Sequence, residues 1–272
     1  KTLFTEIPSG VGKGGKLVVS KSELNEVLIN GVDWAIKKGF GCKEDALHCE
    51  DNGKIANANP EKVSEKAFKR GLPQIGTLGS GNHFLEVQET TKVFNKKFAD
   101  KFNIKEGNAS LMIHSGSRGL GYQVADDYIG VMMQAMKKYK IEVPDNQLCC
   151  APISSEEGQN YLQAMNCASN FAYCNRQLMT HWIRLAFEKV FEQNWKELEL
   201  NLVYDVCHNI AKFEEHEIDG QKKNVLVHRK GATRAFPAGK KELNDFSREI
   251  GQPAIVPGSM GTNSYVMLGT QL

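Results

Sequence analysis

Seven histidines occur in the 272-residue sequence. Three of them stand at the ends of short apolar runs. His83 opens the run that continues from Phe84 to Gln88, His114 closes Leu111-Met-Ile-His114, and His208 follows Leu202-Val-Tyr-Asp-Val-Cys207. Ligand sites in sheets gather at strand ends, where a rigid backbone aims a side chain into a crevice. If the first of these strands runs antiparallel to the other two, all three imidazoles can meet at one edge. Imidazole suits Mn, Fe, Co, Ni and Zn, and three such ligands leave room for a carboxylate, a thiolate or a substrate oxygen. The plainer alternative is three half-buried histidines, each satisfied by a backbone carbonyl.

Each of the three has polar company: Asn82 and Glu86 beside His83, Ser115, Ser117 and Arg118 after His114, and Asn209 with Lys212 after His208. Amides and guanidinium groups beside a metal are what a phosphate needs, because Arg binds it bidentately while the metal neutralises its charge. Phosphoryl chemistry is the inference. His48, His181 and His216 lack such neighbours; His181 is read as structural or exposed, and Cys42, His48 and Cys49 have no second half for a zinc site.

Two glycine loops accompany the histidines: Gly76-Thr-Leu-Gly-Ser-Gly-Asn-His-Phe-Leu-Glu86 and Pro257-Gly-Ser-Met-Gly-Thr-Asn-Ser264. Glycine lets a backbone approach a ligand closely, although such segments also make ordinary turns. A third, Gly10-Val-Gly-Lys-Gly-Gly-Lys16, spells a phosphate-loop pattern in the wrong context. Lys16 to Val19 reads as a strand, whereas such a loop must lead into a helix N-terminus. Residues Lys222 to Lys241 carry seven Lys or Arg and no acid, a strip able to track a nucleic-acid backbone or simply to form a solvated face.

The elements that must position these residues follow from periodicity. Helical spacing covers Ser22 to Lys38 with Ser22 as cap, Pro60 to Arg70, and Tyr122 to Lys138, where Val124, Tyr128, Met132 and Met136 face inward. The long helix opens on a capping-box pattern, Ser154-Ser-Glu-Glu157, and runs to about Phe191, with an apolar stripe from Leu162 to Val190. Strands are expected at Asn82 to Gln88, Leu111 to His114, Asn201 to Cys207, Asn224 to His228, Ala254 to Val256 and Tyr265 to Leu268. The polar stretch from Lys43 to Asn59 reads as surface. Helices and strands intersperse without strict alternation, which predicts a mixed α+β class, α/β in the broad sense, built as one compact domain.

Composition narrows the class further. A net charge of +2 excludes a histone-like polycation, and 41% hydrophobic content is enough for a real core. The seven cysteines include no C-x-x-C pair, and there is no signal peptide or apolar run of membrane-spanning length. A reducing compartment, cytoplasmic or nuclear, and no membrane are therefore expected. The chain begins at Lys1 rather than Met and Ser264 to Leu272 reads as a strand cut in mid-fold, so an internal piece of a longer protein is expected.

Together the glycine–histidine loop from Gly76 to Glu86, His114-Ser-Gly-Ser-Arg-Gly-Leu-Gly121, Tyr204-Asp-Val-Cys-His-Asn-Ile-Ala-Lys212, His228-Arg-Lys-Gly-Ala-Thr-Arg-Ala-Phe-Pro237 and Gly251-Gln-Pro to Ser264 closely resemble the RtcB family of RNA-splicing ligases. The motifs keep the family's order from Leu3 to Thr270. Pro8-Ser-Gly-Val-Gly12 and Lys69-Arg-Gly-Leu-Pro73 look more like its archaeal and eukaryotic members.

The resemblance implies a single catalytic domain with mixed sheets flanked by helices, and a GTP- and manganese-dependent ligase. Such an enzyme joins an RNA 2′,3′-cyclic phosphate or 3′-phosphate to a 5′-hydroxyl, as in the joining of tRNA exon halves. It also implies helper proteins such as archease or a tRNA ligase complex. By motif match, His83, His114 and His208 would hold one or two manganese ions. Asn82, His83, Phe84, Leu85, Glu86, His208, Asn209, Pro257, Gly258, Ser259, Met260 and Ser264 would line the GTP site. Arg70, Arg118, Lys230 and Arg234 would meet RNA phosphates. The family's Asp-x-x-Cys metal motif belongs before Lys1 and its His-Gly-Ala-Gly-Arg motif, which carries the guanylated histidine, after Leu272. These 272 residues alone are therefore expected to be inactive. Two other classes stay open: a metal-dependent phosphatase or nuclease drawing on Asp126, Asp127 or Asp205, and a non-catalytic RNA-binding piece.

Overall fold

The structure, a computed structural model, describes every residue except Val11, Met260 and Leu272. Its helices are α1 (Thr2–Glu6), α2 (Lys21–Asn30), α3 (Val32–Lys37), α4 (Lys43–Leu47), α5 (Glu65–Gly71), α6 (Lys96–Lys101), α7 (Arg118–Tyr139), α8 (Glu156–Phe191) and α9 (Asp245–Ile250). Its strands are β1 (Phe84–Glu89), β2 (Ala109–His114), β3 (Asn209–Ile218), β4 (Gln221–Lys230), β5 (Pro253–Val256) and β6 (Tyr265–Leu268). The mixed α+β class holds. The strands pair as three antiparallel two-stranded sheets, β1–β2, β3–β4 and β5–β6. The chain divides into two compact units, Lys1–Cys42 with Gly53–Asn201, and Lys43–Asn52 with Leu202–Leu272.

In the first unit α8 is the axis. Leu24, Leu28, Trp34, Phe68, Leu120 and Val124 from four other helices close around Ala164, Cys167, Phe171, Cys174 and Leu178. Its middle is buried on every face, from Ser169 through Asn175, so the expected stripe widens there to the full circumference. Leu185 and Val190, expected inward, are 42% and 55% exposed; Leu185 lies on the outer face, between the buried Arg184 and Ala186. Further along, Met179 and Ile183 pack with Ile7 against Leu85, Leu111 and Ile113 of the β1–β2 sheet. Side chains alternate along a strand, and the register pairs Leu85 with Ile113 and Phe84 with His114. Packing one face on α8 therefore turns Phe84, Glu86 and His114 to the other.

Several boundaries differ from expectation for local reasons. The helix predicted from Ser22 to Lys38 is two helices. Ser20, not Ser22, caps α2 in a full capping box with Glu23, and Gly31 at φ 53° ends it, because Gly31 lies where a Cβ would come 2.2 Å from the Gly53 carbonyl oxygen. At α8 the capping hydroxyl is Ser155, bonded to the Gly158 amide, and not Ser154. The helix expected from Pro60 is a 3₁₀ turn, Pro60–Lys62, followed by α5 with its own Ser64 cap. Lys16 to Val19 is irregular and not a strand; Val18 is 91% exposed.

In the second unit the run from Asn201 to Cys207 is not a strand either. Tyr204 and Cys207 are buried, but the run pairs only at Asp205, which bridges Cys49. The stretch read as surface supplies that partner: Asp45, Cys49 and Glu50 are all buried. The ladder lies one segment later, in β3, joined to β4 by an Asp219–Gly220 turn in which both residues have positive φ. That is the two-residue hairpin turn whose backbone twist matches its strands.

Candidate functional site

The antiparallel β1–β2 sheet brings His83, just before β1, to the same edge as His114, the last residue of β2. Their ring centroids lie 5.8 Å apart with the planes at 85°. Phe84 stands edge-on to His114 at 5.4 Å. Both histidines are half-buried. Burial and the nearby Arg176 guanidinium hold the His114 imidazole below its ordinary pKa, which favours the neutral ring that can act as a metal ligand. On the same sheet face Glu86 accepts a hydrogen bond from Gln88 Nε2 at 2.8 Å. Asn82 is exposed and Leu85 points to the α8 side.

Two guanidinium groups stand at this edge. Arg118 opens α7 with φ 53° and donates from Nη1 to His83 Nδ1 at 2.8 Å. A guanidinium only donates, so His83 Nδ1 presents its lone pair there. Burial lowers the Arg118 pKa, and its Nε lies buried without a hydrogen-bond partner among the described residues. The guanidinium lies flat on Gly79, where a Cβ would come within 2.2 Å of Nη1, Cζ and Nη2. Arg176, on α8, donates to the Ser115 carbonyl at 3.1 Å.

The two loops carrying the histidines are tied to α8 by Asn175, which is fully buried. Its Oδ1 accepts from the Thr77 amide at 3.0 Å, and its Nδ2 donates to the Thr77 carbonyl at 3.0 Å and to Ser115 Oγ and the Gly116 carbonyl at 3.2 Å. Ser115 Oγ in turn donates to the Leu78 carbonyl at 2.7 Å. Two amides of the glycine-rich run before α2 tie it down: the Gly10 amide bonds the Gly79 carbonyl and the Gly15 amide the Pro73 carbonyl.

His208 belongs to the second unit, at the head of β3, with Nε2 3.4 Å from Asn209 Nδ2; Asn209 Oδ1 accepts from the Gly231 amide. The approach to His208 is held by Glu50, whose Oε2 accepts from the Cys207 amide at 2.9 Å and whose Oε1 accepts from Lys212 Nζ at 2.7 Å. Arg234 is a correction to the phosphate-contact expectation. It is 4% exposed and its guanidinium is committed to Asp51, Glu50 and Gln252. Most of the basic strip is likewise paired internally: Arg229 with Glu214, Lys222 and Lys241 with Glu215, and Lys223 with Asp219. Lys230 remains exposed. In the first unit Arg70 is exposed, stacked at 4.9 Å over Tyr122 and bonded to Gln123. The Pro257–Ser264 loop joins β5 to β6 and closes on itself through Ser264 Oγ to the Gly258 amide and Thr262 to Ser259; Met260 lies outside the described residues.

Within either unit, no group of three or more His, Cys, Asp or Glu side chains among the described residues is arrayed to hold a metal. The structure brings two imidazoles together. Asp126 and Asp127 are engaged by Gln123, and Asp127 also by Ser64. Among the described residues no helix is long and apolar enough to cross a membrane. Asn175, Arg176 and Glu50 escaped the sequence reading. The available signals were two asparagines inside an otherwise apolar helical stretch and an acidic residue beside a buried cysteine.

Comparison with known proteins follows the same residues. The family model described as tRNA-splicing ligase RtcB matches residues 1–272. The tRNA-splicing ligase RtcB of Archaeoglobus fulgidus is 55% identical over 269 residues, covering 99% of this chain and 56% of that protein. That of Methanococcus maripaludis is 53% identical with the same coverage, and that of Methanocaldococcus jannaschii is 52% identical over 100% of this chain and 28% of its own. The chain spans about half the length of the first two. A family match along every residue, with the glycine–histidine loops folded into one edge, places this chain in the RtcB family.

Proposed function

We propose that the protein is an RNA ligase that joins an RNA 2′,3′-cyclic phosphate or 3′-phosphate end to a 5′-hydroxyl, using GTP and manganese. The observation that carries the reading is the meeting of His83 and His114, 5.8 Å between centroids, beside two arginines. Two imidazoles with guanidinium groups beside them suit a divalent ion and the phosphates it would bind. The donor set fits manganese in part, His83 and His114 at one edge with His208 as the proposed third ligand. Manganese supplies charge neutralisation on phosphate oxygens.

The chain's own residues do the rest. Arg118, whose guanidinium donates to the His83 Nδ1 lone pair in this structure, would release that bond when the ring takes a metal and turn its cation to a phosphate. Glu86, with Gln88 holding its carboxylate, accepts hydrogen bonds from guanine N–H groups. Asn82 and Asn209 add donors and acceptors at the two histidine-bearing turns, and the Pro257–Ser264 loop offers backbone to the nucleotide. Arg70 and Lys230, both exposed, bind RNA phosphates. The histidine that takes the guanylate is assigned to the part of the protein outside these residues.

The test is ligation of RNA ends by the full-length protein with GTP and manganese. His83→Ala and His114→Ala should each abolish joining by protein that remains folded by circular dichroism. Joining that survives both refutes the reading. The 272 residues alone, incubated with labelled GTP and manganese, should stay unlabelled; stable labelling would overturn the placement of the nucleophile.

A further inference from the structure

We infer that Asn175 is a positioning residue for the metal site, an inference that rests on the reading of His83 and His114 as manganese ligands. One buried amide on α8 grips both loops that present these histidines. It holds Thr77, six residues before His83, by both amide and carbonyl, and it holds Ser115 and Gly116, the two residues immediately after His114. The Ser115 hydroxyl completes the link by reaching the Leu78 carbonyl across the two loops. The separation of the imidazoles is therefore set from α8 as well as by the β1–β2 ladder. Outer groups that orient a ligand change metal affinity without touching the metal.

The same helix supplies an internal control. Asn170, also fully buried, bonds in the same pattern: its Oδ1 accepts from the Ile55 amide and its Nδ2 donates to the carbonyls of Leu28, Ile29 and Ile55. None of those groups flanks a histidine. Changing either asparagine to aspartate keeps size and the accepting oxygen but turns a second oxygen onto carbonyls. Both changes should cost stability. Only the one at position 175 should cost metal affinity.

The experiment measures Mn2+ binding to the full-length protein by electron paramagnetic resonance of the free ion, alongside thermal melting. Asn175→Asp should weaken binding about 10- to 100-fold, the range for lost outer-shell partners, while Asn170→Asp stays near wild type. Equal affinities in the two folded variants, with His83→Ala abolishing binding, overturn the role of Asn175 and leave the metal reading standing. Binding untouched by His83→Ala overturns that reading and this inference with it. If Asn175→Asp does not fold, Ser115→Ala decides: weakened binding supports the positioning role, and wild-type binding refutes it.

Discussion

At Gly79 the absence of a side chain determines where an arginine can lie. Its φ of 103° is one that side chains rarely adopt, and the Arg118 guanidinium occupies the space of the missing Cβ. Gly79→Ala should cost about 1–3 kcal/mol from backbone strain alone, read in urea unfolding followed by tryptophan fluorescence. It should also push Arg118 off His83 Nδ1, seen as a change in the His83 imidazole nitrogen resonances; an unchanged ring spectrum would show that the stack is not what holds the arginine. The histidine pair itself was legible from sequence, because each imidazole ends an apolar run and one antiparallel pairing makes them neighbours. Asn175 was not. A buried amide inside a helix announces nothing about which distant carbonyls it meets. Arg234 misled for the opposite reason, since a cation among other cations looks solvated until Glu50 and Asp51, nearly two hundred residues earlier, are seen beside it.

Elements follow local chemistry where that chemistry is unshared. The full length of α8 could be read from its period and its serine start, but the capping-box pattern pointed to Ser154 with Glu157, whereas the structure assigns the cap to Ser155. Ser155→Ala should lower stability by about 1 kcal/mol and Ser154→Ala should leave it unchanged, a contrast that chemical denaturation can resolve. The opposite failure occurs at β3. Glu214, Glu215 and Glu217 disguise the strand, whereas Asp219–Gly220 is the stronger signal because both residues take the positive φ a tight hairpin needs. Gly220→Ala should therefore cost about 1 kcal/mol and speed amide exchange in β3 and β4 while leaving α8 protected. Exchange that rises equally in both places would mean the turn is not a local determinant. The run from Asn201 to Cys207 deceived because Tyr204 and Cys207 are buried without a ladder, the run's backbone partners coming from His48 and Glu50.

At the scale of the whole molecule, each unit contains its own buried polar anchor, an uncharged amide in the first and an ion network in the second, and pH should tell them apart. Burial alone would raise the Asp51 carboxyl, but Lys212 and Arg234 hold it below the ordinary 3.8; burial likewise opposes the Glu214 charge, and Arg229 and His216 hold it below 4.5. A carboxyl whose folded pKa is depressed adds stability that is complete above its unfolded value and lost as pH falls through the folded one. Burial disfavours the Lys212 ammonium, yet Glu50 and Asp51 keep it above 10.5, so its contribution is complete below 10.5 and lost as pH rises through the folded value. The second unit should thus hold a plateau between the two limbs. Lys212→Met strands Glu50 and Asp51 with Arg234 alone, which should cost about 3–5 kcal/mol at neutral pH, remove the Lys212 share of the alkaline limb and move the acid limb upward. All three tryptophans, Trp34, Trp182 and Trp195, lie in the first unit, so their fluorescence follows that unit while exchange of the β3–β4 amides follows the other. If the variant's β3–β4 amides kept wild-type protection at pH 7, the network would be a surface ornament and not the second unit's anchor.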